Sequence, residues 1–172
     1  MAPLRILLVG LMGSGKSTVG RALADDLGWP YFDNDTELAV ETGHTLLDLA
    51  SRGRAELHRL EAAHAVRLLL LDPPFVAGLA ASIADKPELT ESIRASAYVV
   101  YLRVQPATLS SRLATDTTRP WLAGDRAATV HQMFDSRDAP MRHLADLVLD
   151  ADHETADDLA RHVLVALADR TS

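Results

Sequence analysis

The stretch Gly10–Thr18, with the sequence GLMGSGKST, constrains the fold and the chemistry of this chain more than any other. It follows a short apolar run, Leu4–Val9, and leads into a segment with helical periodicity, Thr18–Leu27. Glycines at this spacing let backbone N–H groups close around phosphate oxygens, and the N-terminus of the following helix adds a positive dipole. Strand, loop and helix in this order match the Walker A pattern. The residues predicted to hold a nucleotide are Gly13, Ser14, Gly15, Lys16, Ser17 and Thr18.

Two side chains of this phosphate loop supply a charge and a metal ligand. Lys16 is expected between the β- and γ-phosphates of the nucleotide, and the hydroxyl of Ser17 is expected to bind Mg²⁺. The competing interpretation is a glycine-rich turn that only joins a strand to a helix. Because chance yields the four fixed positions in roughly one of a few hundred chains of this length, we predict that the loop binds ATP together with Mg²⁺.

Composition excludes several classes of protein. A chain of 172 residues fits one domain, taken as 1–172, and its net charge of −7 argues against nucleic acid or an anionic membrane as the main partner. The chain has no cysteine, which excludes disulfides and thiolate metal sites. Its N-terminal residues lack the layout of a signal peptide, and the apolar run there is too short to span a bilayer. We expect a cytoplasmic monomer whose partner is a small molecule.

Short apolar runs alternate with helical patterns along the whole chain. This alternation is typical of an α/β fold in which parallel strands form one sheet. Strands are predicted at 4–9, 29–33, 73–77, 98–102 and 147–149. Helices are predicted at 18–27, 35–71 with breaks near 42–44 and 51–53, 87–95, 106–114, 127–137, and from 155 onward.

Two carboxylates stand at the end of the second predicted strand, at Asp33 and Asp35. In extended backbone, residues two apart point to the same side, so both can face a ligand beyond the carboxyl end of the strand. One carboxylate can organise Mg²⁺ or its waters, and the other can accept the proton of an acceptor hydroxyl. The alternative is that both residues cap the following helix, a role that is compatible with the first.

Four segments of the sequence together cover nearly the whole chain. In chain order they are GLMGSGKSTVGRALADDLG, YFDNDTELAVETGHTLLDLASRGRAELHRLE, ATDTTRPWLAGDR and SRDAPMRHLADLVLDAD. As an ordered set, these segments resemble the shikimate kinase family. The resemblance implies a three-layer P-loop kinase fold: a five-stranded parallel sheet of order 2-3-1-4-5, helices on both faces, an acceptor-binding segment at about 33–62, and a lid at about 114–126.

On the nucleotide side, the resemblance implies that Lys16 and Ser17 hold the phosphates and the metal, that Asp33 assists the metal, and that Arg112 stacks on adenine. On the acceptor side, it implies that Asp35 contacts the reacting hydroxyl. The remaining two assignments concern arginines, for which a solvated surface position is the alternative. Arg119 resembles the lid arginine that reaches the γ-phosphate and the acceptor, and Arg137 resembles the arginine that grips the acceptor carboxylate.

Two departures from the family pattern fall in the predicted acceptor pocket. Counting back from Glu61, His58 stands where the family has an arginine that binds the acceptor carboxylate, and imidazole lacks the fork of donors that suits a carboxylate. Three consecutive family glycines are replaced in the stretch 78–81, where Gly78 is followed by Leu79 and two alanines that would crowd the pocket. Arg54, one helical turn before His58, could compensate or could instead pair with solvent and nearby acids.

These residues lead to a functional hypothesis with two alternatives. The chain is expected to transfer the γ-phosphate of ATP to an alcohol, with Lys16, Asp35 and Arg119 as catalytic residues and shikimate as the first acceptor. The residues expected to bind the acceptor are Asp35, His58, Gly78, Leu79 and Arg137. One alternative is a related kinase for another polyol or cyclitol. The other is a nucleotide-binding homologue without kinase activity.

Overall fold

The central feature of the computed structural model, which describes residues 4–117 and 119–170, is one sheet of five parallel strands. Their spatial order is β2-β3-β1-β4-β5, and every neighbouring pair is parallel. The predicted fold class and strand order are therefore confirmed. The strands are β1 (Arg5–Val9), β2 (Tyr31–Asp33), β3 (Phe75–Gly78), β4 (Tyr98–Arg103) and β5 (Leu147–Asp150).

Helices pack on both faces of this sheet. They are α1 (Lys16–Leu27), α2 (Asn34–Thr42), α3 (Leu46–Ser51), α4 (Arg54–Leu70), α5 (Pro87–Ser96), α6 (Pro106–Arg112), α7 (Arg126–Leu144) and α8 (Ala156–Arg170). Short 3-10 turns lie at Ala81–Asp85 and Pro120–Leu122. Within residues 4–117 and 119–170, no helix is long and apolar enough to cross a membrane. The predicted lid includes Thr118, and the predicted domain includes both termini; these positions lie outside the described residues.

The three central strands form the core because their side chains are apolar on both faces. Ile6, Leu7 and Leu8 of β1 are fully buried, as are two residues of β3 and three of β4. Continuous apolar runs of this kind suit parallel strands that are covered by helices on both sides. In the strand register, Leu8 pairs with Gly78, and Gly78 pairs with Asp33. The phosphate loop and the acidic end of β2 therefore meet at one edge of the sheet.

The predicted breaks in the long helical segment are confirmed, and each has a local cause. Gly43 ends α2 in the left-handed conformation, which a glycine adopts without a Cβ clash. Thr45 then begins α3 with a capping box, in which its hydroxyl accepts from the Asp48 N–H and the Asp48 carboxylate accepts from the Thr45 N–H. At the second break, Gly53 precedes α4 with a φ of +116°, a backbone conformation that residues with side chains rarely adopt. One predicted helical region thus becomes α2, α3 and α4.

One predicted helix boundary is wrong. The helix predicted at 127–137 continues to Leu144 and contains Pro140 in its interior. A proline inside a helix removes a hydrogen bond and clashes with the preceding turn, at a cost of about 3 kcal/mol. Met141 and Leu144 are nevertheless buried against the main core, so the apolar face of α7 continues past the proline. Burial of those two side chains offsets the cost of the proline. Helix periodicity around a proline does not reveal this compensation.

The contact between α1 and the sheet leaves no room for a side chain at Gly20. A Cβ atom there would lie 2.3 Å from Cε2 of Tyr31 and 3.0 Å from Cδ1 of Leu8. We expect Gly20→Ala to lower the free energy of unfolding by about 1–2 kcal/mol, because overpacking outweighs the better helix propensity of alanine. Urea denaturation measures this change. Gly124→Ala is the matched control, since its Cβ would meet nothing within 4 Å; equal stability of the two variants would contradict the packing argument.

Candidate active site

A cleft of about 280 Å³ opens at the carboxyl edge of the sheet, between the phosphate loop, α2, α4 and the turn after β3. Open parallel sheets bind ligands at this edge, because loops from neighbouring strands converge there. Most of the residues predicted for the site line this one cleft. They are Gly13, Gly15, Lys16, Ser17, Thr18, Asp33, Asp35, His58, Gly78, Leu79, Arg119 and Arg137.

The phosphate loop holds Lys16 at the floor of the cleft. Its Nζ atom donates to the backbone carbonyls of Gly10 and Leu11, at 2.8 and 3.2 Å. Burial lowers the pKa of Lys16 to about 8, although the nearby Asp35 carboxylate acts in the opposite direction. Gly15 precedes α1 with a φ of +94°, a conformation that side chains rarely adopt. The loop therefore presents a half-buried ammonium and the free N–H groups of a helix start to the same space.

Ser17 and Asp33 form a pair of hard oxygen donors beside Lys16. The Ser17 hydroxyl donates to Oδ2 of Asp33, and Oδ1 of Asp33 accepts from the backbone N–H of Thr36 at 3.2 Å. Burial raises the pKa of Asp33, but these hydrogen bonds outweigh it and hold the pKa below its usual value. Asp33 also caps α2, so the capping interpretation and the site interpretation hold for the same residue.

The donor set fits a magnesium ion that is bound mainly through a nucleotide. Within the described ranges, 4–117 and 119–170, no group of three or more His, Cys, Asp or Glu residues could hold a metal by itself. Mg²⁺ takes one or two protein oxygens together with phosphate oxygens and waters, and it does not need a cage of carboxylates. Ser17 Oγ and the Asp33 carboxylate supply oxygens of that kind at the end of the phosphate loop.

Asp35 lines the cleft as predicted, but its backbone conformation differs from the predicted one. It lies in the first turn of α2, and not in extended backbone two residues along the strand from Asp33. The helix begins immediately after Asp33, whose side chain caps it. From there Oδ2 of Asp35 accepts a hydrogen bond from Nη2 of Arg119 at 3.3 Å. Arg119, the arginine of the predicted lid, also pairs with Asp116 through Nη1, and its contact with Asp35 places it next to the acidic end of β2.

Glu61 is a buried acid on the opposite wall of the cleft. It is 8% exposed, and its Oε2 atom accepts from the Ser82 hydroxyl at 2.5 Å. Burial raises the pKa of Glu61 to about 7, and Asp35 adds to this effect. His58 stands one turn earlier on α4. Burial, followed by the charges of Arg137 and Arg54, lowers the pKa of that imidazole. His58 is therefore neutral near pH 7.

Arg137 is buried in the wall of the cleft, and a carboxylate of the chain itself pairs with its guanidinium. Its side chain is 6% exposed, and its Nε and Nη2 atoms donate to the two carboxylate oxygens of Asp85, with Nε–Oδ1 at 3.1 Å. Arg54 is exposed at the mouth and lies 6.0 Å from the ring centroid of Trp121. Leu79 lines the cleft, yet it is only 1% exposed because most of its side chain lies in the main core.

Arg112 lies away from this cleft, at a second cavity of about 250 Å³ on the other side of the phosphate loop. Ser14 lines this cavity too, with Gly13, Gly15 and Thr18, and its buried hydroxyl has no hydrogen-bond partner among the described residues. The guanidinium of Arg112 donates to the carbonyls of Gly13, Ala151 and Asp152 at 2.8–3.1 Å. This arrangement puts a planar cation next to the loop, and stacking of Arg112 on adenine stays a prediction.

Comparison with known proteins identifies the family. A sequence profile described as shikimate kinase matches residues 12–168. The chain is 35% identical over 169 residues to a shikimate kinase of Mycobacterium bovis (strain BCG / Pasteur 1173P2), covering 97% of this chain and 94% of the relative. It is 33% identical over 160 residues to a shikimate kinase of Dechloromonas aromatica (strain RCB), covering 92% and 87%. The chain belongs to the shikimate kinase family.

A solved member of the shikimate kinase family has the same fold over almost its whole length. The structure of the Acinetobacter baumannii shikimate kinase in complex with shikimate matches with a TM-score of 0.91 and 26% identity, covering 98% of this chain and 95% of that one. The resemblance inferred from four sequence segments is thereby confirmed. The chain is accordingly a phosphotransferase with an alcohol acceptor.

Two residues that sequence reasoning did not assign to this shikimate kinase site lie beside its key side chains. The Tyr31 hydroxyl donates to Oδ2 of Asp33 at 3.3 Å. The spacing could have revealed it, because residues two apart on a strand share a face. Asp85 pairs with Arg137 across 52 positions, and no local pattern marks that contact.

The buried Glu61 predicts a pH dependence of stability. Because its folded-state pKa of about 7 lies above the unfolded value of 4.5, the folded protein binds more protons than the unfolded chain between these pH values. Stability from this group is therefore present below pH 4.5 and is lost as pH rises to about 7, by up to about 3 kcal/mol. Glu61→Gln keeps the contact with Ser82 and removes the titration.

We expect the stability of Glu61→Gln, relative to the wild type, to increase steadily from pH 4.5 to pH 7.5. Urea denaturation of both proteins at several pH values measures this difference, and other titrating groups cancel between them. Glu56→Gln is the control, since Glu56 is an exposed acid of the same helix that pairs with Arg59. A stability difference for Glu61→Gln that does not change with pH would show that Glu61 is ionised in the folded protein throughout this range.

Proposed function

We propose that this protein is a kinase that transfers the γ-phosphate of ATP to a hydroxyl group of shikimate. The observation that carries the proposal is the Arg119–Asp35 contact of 3.3 Å in the cleft whose floor holds Lys16. It joins a phosphate-binding group to a carboxylate that can accept a proton. Shikimate itself is bound in the related Acinetobacter baumannii enzyme, and that likeness supports the choice of acceptor.

On the donor side, the residues bind and neutralise phosphate. Lys16 would exchange its contacts with the Gly10 and Leu11 carbonyls for phosphate oxygens, which a buried ammonium attracts strongly. Ser17 and Asp33 would hold Mg²⁺, which when bound neutralises the charge that develops on the transferred group. Arg112 would lie against the nucleotide base at the second cavity.

On the acceptor side, the residues orient one hydroxyl and take its proton. Asp35 would accept the hydrogen bond of that hydroxyl and then its proton, a contribution typical of a positioned general base. Arg119 would move from Asp35 toward the γ-phosphate as the lid, about 114–126, closes over the cleft. His58, Gly78, Leu79 and Arg137 would surround the rest of the acceptor in the pocket that segment 33–62 encloses. We further propose a single domain, 1–172, that acts as a cytoplasmic monomer.

The test measures ADP release and the phosphorylated product with Mg·ATP and shikimate. Gluconate and myo-inositol serve as comparison alcohols. We expect shikimate to give the highest kcat/KM of the three. Transfer to a comparison alcohol with none to shikimate would overturn the acceptor and favour a kinase for another polyol or cyclitol. Tight Mg·ATP binding without transfer to any alcohol would overturn the kinase and favour a nucleotide-binding homologue.

A further inference from the structure

Two of the three described arginines that line the cleft, Arg119 and Arg137, already pair with carboxylates of the chain. Of the described cations that line the cleft, Lys16 lies on two loop carbonyls, Arg119 pairs with Asp35 and Asp116, and Arg137 pairs with Asp85. Arg54 is the most exposed of them and lies at the mouth. A carboxylate on an acceptor therefore meets no buried guanidinium that lacks a carboxylate partner in the described part of the cleft.

The Arg137–Asp85 pair has the geometry in which a guanidinium binds a ligand carboxylate. Two donors of one edge of the guanidinium face the two oxygens of the carboxylate. Bidentate pairing of this kind is the strong form of an arginine–carboxylate contact. Arg137 is almost fully buried and needs an anionic partner, whereas Asp85 is 41% exposed at the end of the 3-10 turn after β3. An acceptor carboxylate would have to displace Asp85 to use Arg137.

The imidazole of His58 does not supply the positive charge that Arg137 would offer an acceptor if Asp85 did not pair with it. His58 lies in the same wall, and its pKa is lowered by burial and by the adjacent Arg137 and Arg54. Asp85 acts against this shift, but less strongly than the two arginines. A neutral imidazole offers an acceptor one hydrogen bond and no net charge. His58 and Arg137 line this side of the cleft, and Asp85 neutralises Arg137 without lining the cleft itself. This side is thus close to electrically neutral, and it suits hydroxyl, ester or amide groups.

We propose that Asp85 is a specificity-determining residue, which occupies Arg137 and so makes this kinase accept an uncharged analogue of its ring-acid acceptor about as well as the acid itself. The inference rests on the proposed function, because it concerns the acceptor side of the same cleft. It deepens that function by assigning the charge selectivity of the pocket to an acid on the turn after β3. Asp85 acts on the acceptor through Arg137.

The experiment compares shikimate with its methyl ester, which keeps the ring hydroxyls and removes the negative charge. For the wild type we expect the two values of kcat/KM to agree within about tenfold, since neither gains a free guanidinium. Asp85→Asn frees Arg137 from a charged partner, so we expect the acid-to-ester ratio of kcat/KM to rise by about tenfold or more. Asp85→Glu restores a carboxylate and should return the ratio to that of the wild type.

A matched control separates this effect from loosening of α7. Asp138 follows Arg137 on the same helix and pairs with Arg103 and Arg142, and it does not line the cleft. Asp138→Asn should leave the acid-to-ester ratio unchanged. An Asp85→Asn variant with the wild-type ratio would overturn the proposal, because a purely structural role changes both substrates equally. A wild type that prefers the acid by more than about tenfold would also overturn it.

Calorimetry tests the role of Asp85 separately from the proposed function, because it measures binding of the acceptor without phosphoryl transfer. Shikimate and its methyl ester are titrated into the ADP-loaded wild type and into ADP-loaded Asp85→Asn. If no transfer occurs with either compound, the proposed acceptor fails, yet a selective gain in affinity for the acid in Asp85→Asn still supports the role of Asp85. Equal changes in affinity for the two compounds would overturn the role of Asp85. It would also be overturned if neither compound bound to either protein.

Discussion

Replacing Lys16 with methionine is expected to lower kcat/KM for phosphoryl transfer by about 10³-fold. Lys16 lies at the floor of the cleft, where a buried positive charge interacts with phosphate far more strongly than it would in water. Methionine keeps an unbranched apolar stem, so the loop can fold while the charge is absent. Steady-state rates over a range of Mg·ATP concentrations measure the loss.

The chain offers one matched control for the lysine substitution. Lys86 is the other lysine of the sequence, and it follows the 3-10 turn after β3 without lining the cleft. Lys86→Met removes the same charge and should keep kcat/KM for Mg·ATP near the wild-type value. Thermal unfolding of both variants shows whether they fold. A folded Lys16→Met enzyme with a rate within tenfold of the wild type would exclude Lys16 from charge stabilisation during transfer.

Substituting Asp35 with asparagine is expected to lower kcat by about 10²–10⁴-fold, which is the usual contribution of a general base. The amide keeps the size of the side chain and one oxygen that can accept from Arg119, but it cannot take the proton of the acceptor hydroxyl. Because we propose that other residues bind the nucleotide phosphates, we expect KM for Mg·ATP to change little. Measured values of kcat and of both KM values separate these effects.

Asp48→Asn controls for the loss of an acid near a helix start. Asp48 belongs to the capping box of α3 and does not line the cleft, so its replacement should affect stability and leave kcat near the wild-type value. If Asp35→Asn retained kcat within threefold of the wild type, Asp35 would be an acceptor-orienting group at most, and proton transfer would pass directly to the phosphate or to solvent.

The elements of the fold were largely predictable because each is encoded by neighbouring residues. Apolar runs of five or six residues marked the buried strands, and glycine after an amphipathic segment marked the end of α1 at Gly28. The strand order came from the family resemblance, and the observed register bears it out. The boundary of α7 failed because a proline at 140 is tolerated only where distant core residues bury the helix beyond it.

The residues of the candidate site likewise divide into those that local sequence predicts and those that it does not. The phosphate loop was predictable from the sequence, since its geometry depends on closely spaced glycines between a strand and a helix. Asp33 and Asp35 were correctly placed near it, but the reason given for Asp35 was wrong, because capping by Asp33 starts the helix earlier than alternation along a strand suggests. Tyr31 could have been found from its spacing to Asp33, whereas the partner of Arg137 could not.

The sequence by itself determined the donor half of this protein: a parallel α/β sheet whose first loop binds nucleotide phosphates, with Lys16 and Ser17 in local positions that backbone geometry alone prescribes. Only the tertiary structure decided the charge of the acceptor half. The raised pKa of Glu61 depends on how deeply α4 and the turn after β3 bury it, and the pairing of Arg137 depends on bringing Asp85 within hydrogen-bonding distance across 52 positions. Electrostatic energies change steeply with burial and distance, and neither quantity is local in sequence.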